Sequence, residues 1–366
     1  MHKNICKALK AHLEHKGEST AYTFLNESGQ AQNEMSYSQL DGYASAIARK
    51  LIDNAESGDR VLLIFKPGLE FIISYIGCLY AGMIAIPIHP PKFKRNADFL
   101  KNTLEDSGAK VILANQDIVN DGLNHFISDT KFQSLIWLPV SFPLSTSKQE
   151  QSFILDDIVG DSIAFLQYTS GSTSAPKGVM VSHNNLILNI DELCRCYEHD
   201  QDSIMVSWIP HFHDLGLIYG ILVPLYAGTP CYLMAPAAFV RNPVMWLQAI
   251  SDYRGTHSAA PNSAYQLCVD KISSEEKENL SLSSWKVAAN AAEPVRIDTL
   301  YQFSDTFSSC QFASKAFTPS YGLAEATVKV AISDVASEPY TLIVDKSQLS
   351  NGVIQTEFIA TDSTRI

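Results

Sequence analysis

The stretch RVLLIFKPGLEFIISYIGCLYAGMIAIPI, residues 60–88, decides the fold class. Its two ends are short apolar runs of the kind that form buried strands, and the segment between them has the length of a helix. That segment stops at Gly82, and glycine is typical of a helix end in the left-handed conformation. A strand, a crossover helix and a second strand form a βαβ unit with parallel strands. The stretch therefore predicts an α/β protein with a parallel sheet.

The same order recurs later in the chain. The runs SIMVSW and PCYLM, within residues 203–234, flank another apolar segment that ends in Tyr-Ala-Gly at Gly228. Helices are expected to begin near Asn184 and Asn262, after capping-type residues. Further apolar runs predict strands at residues 110–114, 134–140, 163–169, 179–183, 257–261 and 285–290. We expect two doubly wound lobes stacked as layers, over roughly residues 40–160 and 161–330, and a smaller β-rich portion over residues 331–366.

Charge and cysteine content narrow the class of protein. The 366-residue chain has a formal net charge of −12 and no repeating basic stripe, so nucleic acid is not an expected partner. Its seven cysteines form no CxxC pair and no zinc-type cluster, which fits a reducing compartment. The first residues lack the apolar segment of a signal peptide, so a cytoplasmic location is expected. Two uncharged runs, residues 71–89 and 215–240, reach membrane-spanning length, but glycine and proline interrupt both, which favours buried helix and strand.

The stretch YTSGSTSAPKGV, residues 168–179, concentrates small hydroxyl residues, glycines and one lysine between two apolar runs. A loop of this composition can turn successive N–H groups inward to form an anion-binding nest, and Lys177 adds one positive charge. It is not a Walker A loop, because Gly178 and a strand follow the lysine instead of a hydroxyl residue that opens a helix. The sequence predicts a polyphosphate site here. A flexible surface hairpin, which serine and glycine also favour, is the alternative.

This loop resembles the phosphate loop of the adenylate-forming superfamily, which includes acyl-CoA synthetases, luciferases and nonribosomal peptide adenylation domains. Two further stretches resemble motifs of the same superfamily in the same order. ANAAEPV, residues 289–295, is similar to the segment that borders adenine, and SYGLAEAT, residues 320–327, is similar to the Tyr-Gly-x-Thr-Glu motif. Ala324 stands where that motif has threonine, so one hydroxyl contact is lost. The resemblance extends over nearly the whole chain from about residue 40 and implies the α/β fold already predicted.

One branch of the superfamily matches more closely. The stretches SWIPHFHDLGLIYG (residues 207–220), APNSAYQLC (residues 260–268) and YAGMIAIPIHPP (residues 80–91) resemble fatty acyl-AMP ligases. Such a ligase uses ATP to convert a medium- or long-chain fatty acid to an acyl-adenylate. It then passes the acyl group to the phosphopantetheine thiol of an acyl carrier protein, or of a carrier domain of a polyketide or nonribosomal peptide synthase. Two alternatives stay open, namely an acyl-CoA synthetase and a non-catalytic module that binds nucleotide or lipid.

The resemblance also implies roles for individual residues, with ATP and Mg²⁺ as cofactors. Lys177, His213 and Glu325 are the implied catalytic residues, and Glu325 is the implied metal ligand. The implied nucleotide-binding residues are Thr169, Ser170, Gly171, Ser172, Thr173, Gly178, Ala291, Ala292, Glu293, Tyr321, Gly322 and Leu323. The implied acyl-binding residues are Ile209, Asp214, Phe239, Ala259, Pro261 and Asn262. Asp214 is also expected to cap a helix, and His211 is expected to be structural.

The expected domain content follows from the same resemblance. Members of the family continue with a ribose-binding aspartate and a small mobile domain that carries a catalytic lysine, and neither has a match here. Asp362, in ATDST, does not fit the aspartate motif. The region after Ser337 is expected to lead into the insertion that is typical of fatty acyl-AMP ligases. Residues 1–366 are therefore expected to be the large N-terminal adenylation domain without the mobile domain, and to have weak or no activity alone.

Overall fold

A computed structural model describes residues 2–90, 94–120, 134–144, 158–169, 176–354 and 363–365. Its strands form two large sheets and one small one. In chain order the strands are β1 (Thr20–Leu25), β2 (Ala31–Ser36), β3 (Arg60–Ile64), β4 (Ile84–Ile88), β5 (Val111–Asn115), β6 (Ile136–Val140), β7 (Ile163–Thr169), β8 (Lys177–Ser182), β9 (Met205–Ser207), β10 (Cys231–Leu233), β11 (His257–Ala260), β12 (Val287–Asn290), β13 (Phe317–Gly322), β14 (Lys329–Ile332), β15 (Ile343–Asp345) and β16 (Ser363–Arg365).

The helices alternate with these strands, as an α/β chain requires. The α-helices in chain order are α1 (Ile5–Lys16), α2 (Tyr37–Ile52), α3 (Leu69–Tyr80), α4 (Lys94–Ser107), α5 (Gln116–Asn120), α6 (His183–Cys196), α7 (Val223–Ala227), α8 (Pro236–Arg241), α9 (Val244–Asp252), α10 (Asn262–Lys271), α11 (Ser274–Lys277), α12 (Ile297–Thr306) and α13 (Lys346–Ser350). A π-helix covers Leu215–Leu222, and short 3₁₀ turns cover Ser308–Cys310, Ser314–Ala316 and Ala324–Ala326.

The first sheet has the strand order β6-β5-β3-β4-β7-β8. Its neighbours pair in parallel except β7 and β8, which are antiparallel. The predicted βαβ unit is confirmed, since α3 joins the parallel strands β3 and β4. Gly82 follows α3 with a φ of +67°, the left-handed conformation expected at this helix end.

The second sheet has the strand order β14-β13-β12-β11-β9-β10-β1-β2 and is also mainly parallel. Its β9 and β10 are parallel and are joined by the second predicted crossover, which ends at Gly228 with a φ of +71°. The two sheets do not divide at residue 160, because β7 and β8 belong to the first sheet. The N-terminal hairpin β1–β2 belongs to the second sheet, since β1 pairs in parallel with β10.

Alternate residues of a strand face opposite sides of its sheet and therefore belong to different hydrophobic cores. Sheets and helices thus form stacked layers. Val61 and Leu63 of β3 pack into a central core together with α2, α3, α6 and the π-helix, whereas Leu62 and Ile64 face the core under α4. A third core lies on the outer side of the second sheet, against α9, α10 and α12. Each fully buried leucine or isoleucine contributes roughly 1.5–3 kcal/mol relative to exposure. The predicted fold class, two stacked parallel-rich α/β lobes, is confirmed.

The second crossover differs from the expected α-helix. Its first part is the π-helix, and α7 begins only at Val223, with Pro224 in its first turn. Proline donates no backbone N–H, so the hydrogen-bond pattern changes most easily at this point. Within the described residues, no helix is both long enough and apolar enough to cross a membrane. The two long uncharged runs are instead buried helix and strand, as predicted.

Beyond β14 the described chain contains a small two-stranded sheet. β15 pairs antiparallel with β16, and α13 follows β15 directly. Asp345 caps α13, because its Oδ1 accepts a hydrogen bond from the Gln348 main-chain nitrogen at 2.9 Å. This strand content agrees with the β-rich portion expected after residue 330.

Candidate functional site

The predicted phosphate loop joins two strands that lie side by side. β7 ends at Thr169 and β8 begins at Lys177, and these two residues are paired across the antiparallel ladder. Four of the implied loop residues, Ser170, Gly171, Ser172 and Thr173, lie outside the described residues. Gly178 faces the ring of Tyr168, where an added Cβ would lie 2.9 Å from the ring carbon Cζ. The strand–loop–strand setting that the sequence predicts is therefore present, with the exposed Lys177 at one end of the loop.

His213 lies on a turn that leads into the π-helix. Its main-chain nitrogen donates to the Pro210 oxygen at 3.1 Å, and its side chain is exposed. Asp214 caps the π-helix as predicted, since its Oδ1 accepts from the Leu215 nitrogen at 2.7 Å. Gly216 allows the turn to be tight, because a Cβ there would lie 2.1 Å from the Pro210 oxygen. The turn thus presents the His213 side chain on a backbone that is fixed on both sides.

His211 has a different environment from His213. Its ring is buried and lies 4.1 Å from the ring of Phe71, centroid to centroid. Burial lowers the pKa of His211 to about 3, so the imidazole is neutral near pH 7. The structural role expected for His211 agrees with this position.

The segment expected to border adenine follows β12 at the carboxyl edge of the second sheet. The Ala291 nitrogen donates to the Ala260 oxygen at 3.1 Å, and Ala292 has a φ of +71°, which is uncommon for a residue with a Cβ. Glu293 turns back to accept a hydrogen bond from the main-chain nitrogen of Ser263. These bonds fix residues 291–293 against the end of β11 and the start of α10.

The Tyr-Gly-Leu-Ala-Glu stretch covers the end of β13 and the first part of its connection to β14. Gly322 is required there, because a Cβ would lie 1.8 Å from the Val328 oxygen. The same oxygen accepts from the Leu323 nitrogen at 3.0 Å. Tyr321 stands 62% exposed, and Glu325 is exposed in the short 3₁₀ turn. Ala324, the departure from the family motif, is buried and presents only a methyl group.

Three cavities surround these segments. The inner cavity lies between α6, the start of the π-helix, the residue 290–293 segment and the β13–β14 connection. The outer groove continues from it along Ala292, Glu293 and Tyr321. The lateral groove lies between β8, α6 and the turn that carries Glu325. The inner cavity is lined by Leu193, Tyr197, Asp214, Leu215, Ala291, Ala292, Ser320, Tyr321, Gly322, Val328, Lys329 and Ile332.

The lining contains residues that the sequence did not single out. Leu193 and Tyr197 lie four residues apart at the end of α6, on the face turned to the cavity. The Tyr197 hydroxyl donates to Ser320 Oγ at 2.8 Å, which ties the wall of the cavity to β13. Helical spacing at positions i and i+4 could have indicated that the first two share a face. Nothing local in the sequence indicates which face meets the motif residues.

Most of the expected acyl-binding residues lie outside the three cavities. Ile209 packs at the edge of the central core, and Ala259 is buried within β11. Phe239 is buried in the outer core, where its ring stacks 3.9 Å from that of Trp208. Pro261 precedes α10, and the buried Asn262 accepts from the Arg296 nitrogen at 3.0 Å. Of the six residues, only Asp214 lines the inner cavity.

Asp214, which lines the inner cavity, is affected by two other ionisable side chains. Burial raises the pKa of Asp214, and the negative charge of Glu325 raises it further, while the Leu215 N–H and His213 lower it. Both His213 and Glu325 are therefore close enough to Asp214 to affect its titration. The adjacent residues His213 and Asp214 thus lie within electrostatic reach of Glu325, which is more than 100 residues away in the sequence.

The donor set at this point fits a magnesium ion carried by a nucleotide. Glu325 offers an exposed carboxylate on a turn whose backbone is fixed, and Mg²⁺ prefers one or two carboxylates together with phosphate oxygens. Within the described residues, no group of three or more His, Cys, Asp or Glu side chains forms a cage for a metal. The arrangement therefore suits an ion that arrives with phosphates.

Comparison with known proteins identifies the family of the chain. A model of the AMP-binding enzyme family matches residues 9–350. The chain is 44% identical over 316 residues to the medium-chain fatty acid–acyl-carrier-protein ligase JamA of Moorena producens, which covers 85% of this chain and 53% of that protein. It is 33% identical over 379 residues to the corresponding ligase TtuA of Teredinibacter turnerae, covering 94% of this chain and 59% of that protein.

Solved structures show the same likeness. The crystal structure of a fatty acid AMP ligase from Legionella pneumophila superposes with a TM-score of 0.92 at 38% identity and covers 100% of this chain and 63% of that one. The chain thus spans between half and two thirds of the length of these relatives. The match over residues 9–350 confirms the resemblance to adenylate-forming enzymes. The chain belongs to the AMP-binding enzyme family.

Proposed function

We propose that the full-length protein activates a medium- or long-chain fatty acid with ATP, giving an acyl-adenylate and pyrophosphate. It then transfers the acyl group to the phosphopantetheine thiol of an acyl carrier protein or of a synthase carrier domain. The observation that carries this proposal is the inner cavity, because its lining joins the turn after His213, Ala291–Ala292 and Tyr321–Gly322. The names of the similar proteins, two of them medium-chain ligases that act on acyl carrier proteins, favour the same activity.

The reaction brings two anions together. A carboxylate oxygen of the fatty acid forms a bond to the α-phosphorus, and the bond from that phosphorus to the bridging oxygen breaks as pyrophosphate leaves. Fixed donors that face the developing charge lower the barrier for such a step. Lys177 supplies a permanent positive charge beside the β- and γ-phosphates, and Ser170, Gly171, Ser172 and Thr173 are proposed to surround those phosphates together with Thr169 and Gly178.

The other implied residues act on the nucleotide and the acyl carboxylate. Tyr321 covers one face of adenine, while the backbone of Ala291, Ala292 and Glu293 borders its edge, and Gly322 and Leu323 give close approach. His213 donates a hydrogen bond to the carboxylate or to the α-phosphate without adding a fixed charge. Glu325 would hold Mg²⁺, which supplies charge neutralisation on the phosphates when bound.

We assign the first methylenes of the acyl chain, next to its carboxylate, to the inner cavity. Its lining is largely apolar, with Leu193, Leu215, Val328 and Ile332 in the walls. Each methylene buried there contributes about 0.8 kcal/mol, so affinity rises with chain length until the cavity is full. The expected contributions of Ile209, Phe239, Ala259, Pro261 and Asn262 to this binding remain a proposal, and none of the five lines the inner cavity.

The domain organisation and location are proposals as well. We propose that residues 1–366 form the large N-terminal adenylation domain, which a mobile domain with the catalytic lysine complements in the full-length protein. We propose a cytoplasmic location, because all seven cysteines are free and five of them are buried. A reducing compartment is compatible with this cysteine content.

Fatty-acid-dependent exchange of labelled pyrophosphate into ATP by the full-length protein tests the proposed activity. We expect exchange with fatty acids of medium or long chain, and a loss of about 100-fold or more in Lys177→Met, because one fixed charge at the phosphates is removed. Absence of exchange with every fatty acid tested would contradict the proposal and favour a non-catalytic binding module. Addition of either holo acyl carrier protein or coenzyme A then identifies the acceptor, and abundant acyl-CoA would indicate an acyl-CoA synthetase.

A further inference from the structure

Asn189 lies on α6 and contacts the turn that carries Glu325. Its Nδ2 donates to the Ala326 main-chain oxygen at 3.3 Å, and its Oδ1 accepts from the Lys329 main-chain nitrogen at 3.2 Å. The orientation of the amide is determined by these partners, because a main-chain nitrogen can only donate and a main-chain oxygen can only accept. The half-buried Asn189 side chain thus bridges Ala326 and Lys329, the two ends of a four-residue segment.

The bridged segment is strained. Thr327 has φ and ψ angles of 71° and −59°, and the Val328 nitrogen donates to the Ala326 oxygen at 2.9 Å, which together form a tight γ-turn. A residue with a Cβ keeps such a conformation only when its surroundings impose it. The Asn189 amide and a second contact from α6, in which the Lys329 ammonium lies 3.0 Å from Glu192 Oε2, impose it from outside the turn.

Helix α6 also fixes this turn relative to the predicted phosphate loop. β8 begins at Lys177 and runs directly into α6, and the junction is closed by a capping box between Ser182 and Asn185. The lateral groove is lined by β8, by Asn189 and Glu192 of α6, and by Glu325 itself. Strand, helix and turn therefore form one unit, with Lys177 at one end and Glu325 at the other.

We propose that Asn189 is a positioning residue for Glu325. Its two hydrogen bonds hold the turn so that the Glu325 carboxylate and the Lys177 ammonium face the same triphosphate. Asn189 lies outside the lining of the inner cavity, and we expect it to act through Glu325. This inference rests on the proposed function, because it assigns metal–nucleotide binding to Glu325.

The test uses the full-length protein and the manganese complex of α,β-methylene-ATP, whose dissociation constant is measured by electron paramagnetic resonance. The same nucleotide in the presence of a chelator gives the metal-free affinity. We expect Asn189→Leu to weaken binding of the manganese complex about tenfold, the scale typical of residues that orient a metal ligand, and to leave the metal-free affinity unchanged. Glu325→Gln should cause the same loss, and adding Asn189→Leu to it should cause no further loss.

Controls separate a positioning role from a general loss of structure. Arg195→Ala changes an exposed residue of the same helix and should match the wild-type protein. Asn189→Asp keeps the shape and the acceptor but removes the donor to Ala326, so it should reproduce the loss even if Asn189→Leu fails to fold. The inference would be overturned if Asn189→Leu weakened binding of the metal-free nucleotide and of the manganese complex equally. It would also be overturned if Asn189→Leu caused the same loss of affinity in the Glu325→Gln protein as in the wild type. If the wild-type protein binds no nucleotide and shows no exchange, the proposed function itself fails.

Discussion

Gln167 and Phe212 connect the two sheets at the candidate site. The Gln167 Nε2 donates to the Phe212 main-chain oxygen at 2.9 Å, and the Gln167 side chain is buried. Gln167 lies two residues before the end of β7, where the predicted phosphate loop begins, and Phe212 immediately precedes His213. A side-chain amide therefore links the segment expected to bind phosphates to the histidine expected to bind the carboxylate.

Replacement of Gln167 by leucine should slow adenylation more than it destabilises the protein. The change removes the hydrogen bond to the turn, and misplacement of a reacting group by about 1 Å can cost on the order of 100-fold in rate. We expect a 10- to 100-fold lower kcat for pyrophosphate exchange by the full-length protein. Gln248→Leu is the matched control, because among the described residues the Gln248 amide donates to Asp252 within α9. Equal kcat values for the two variants would show that adenylation does not depend on the hydrogen bond between Gln167 and Phe212.

Gly322 should tolerate no side chain. A Cβ at this position would lie 1.8 Å from the Val328 oxygen, so Gly322→Ala must displace the β13–β14 connection. We expect a loss of about 3 kcal/mol in the free energy of unfolding, measured by urea denaturation. Gly42→Ala, in α2, is the control, since nothing lies within 4 Å of the added Cβ and a gain of about 0.5–1 kcal/mol is expected. A Gly322→Ala protein as stable as the wild type would contradict the reported backbone geometry.

His211 should make the protein sensitive to mild acid. Its folded-state pKa is lowered to about 3 by burial, so below pH 6.5 the unfolded chain binds a proton that the folded chain does not. Stability is therefore lost as the pH falls from 6.5 toward 3, by about 2 kcal/mol for this group at pH 5. In urea titrations, the free energy of unfolding should decrease less between pH 7.5 and pH 5 in His211→Phe than in the wild-type protein. The control variant His15→Gln changes an exposed histidine and should show the same decrease as the wild-type protein. If His211→Phe also showed the wild-type decrease, His211 would not be the source of the acid sensitivity.

Leu193 should set the preferred length of the acyl chain. It lines the inner cavity from α6, so Leu193→Ala enlarges the space and Leu193→Phe reduces it. We expect the chain length with the highest kcat/KM to increase by about one or two methylenes in the first variant and to decrease in the second. Each methylene corresponds to about 0.8 kcal/mol, or roughly a fourfold change. Because the two variants should shift the preferred chain length in opposite directions, each serves as a control for the other. An unchanged preferred chain length in both variants would show that the acyl chain does not bind in this cavity.

Much of the fold is readable from local sequence. The runs that became β3, β4, β9 and β10 are apolar, and each crossover ends at a glycine because that position needs a positive φ. Three of the motif residues, Asp214, Tyr321 and Gly322, line one cavity, while their roles stay predictions. Local patterns suffice in these cases because strand, helix and turn preferences act over a few residues.

Other features depend on long-range contacts that no local pattern encodes. The N-terminal strand β1 pairs with β10, about 200 residues away, so its place in the second sheet could not be read from its own sequence. Phe239 has the apolar character expected of an acyl-binding residue, but its face of the chain turns toward Trp208 and the outer core. Leu193 and Asn189 lie on a helix without any motif, and only the packing of α6 against the β13–β14 connection gives them a role.

The central claim is that nucleotide and fatty acid meet between Lys177, His213 and the inner cavity. A crystal structure of the protein with a non-hydrolysable acyl-adenylate analogue tests it most directly. The account predicts adenine on Tyr321 beside Ala291 and Ala292, phosphate next to His213, and the acyl chain along Leu193 and Val328. An analogue bound elsewhere, with residues 169–178 turned to solvent and the inner cavity empty, would contradict it.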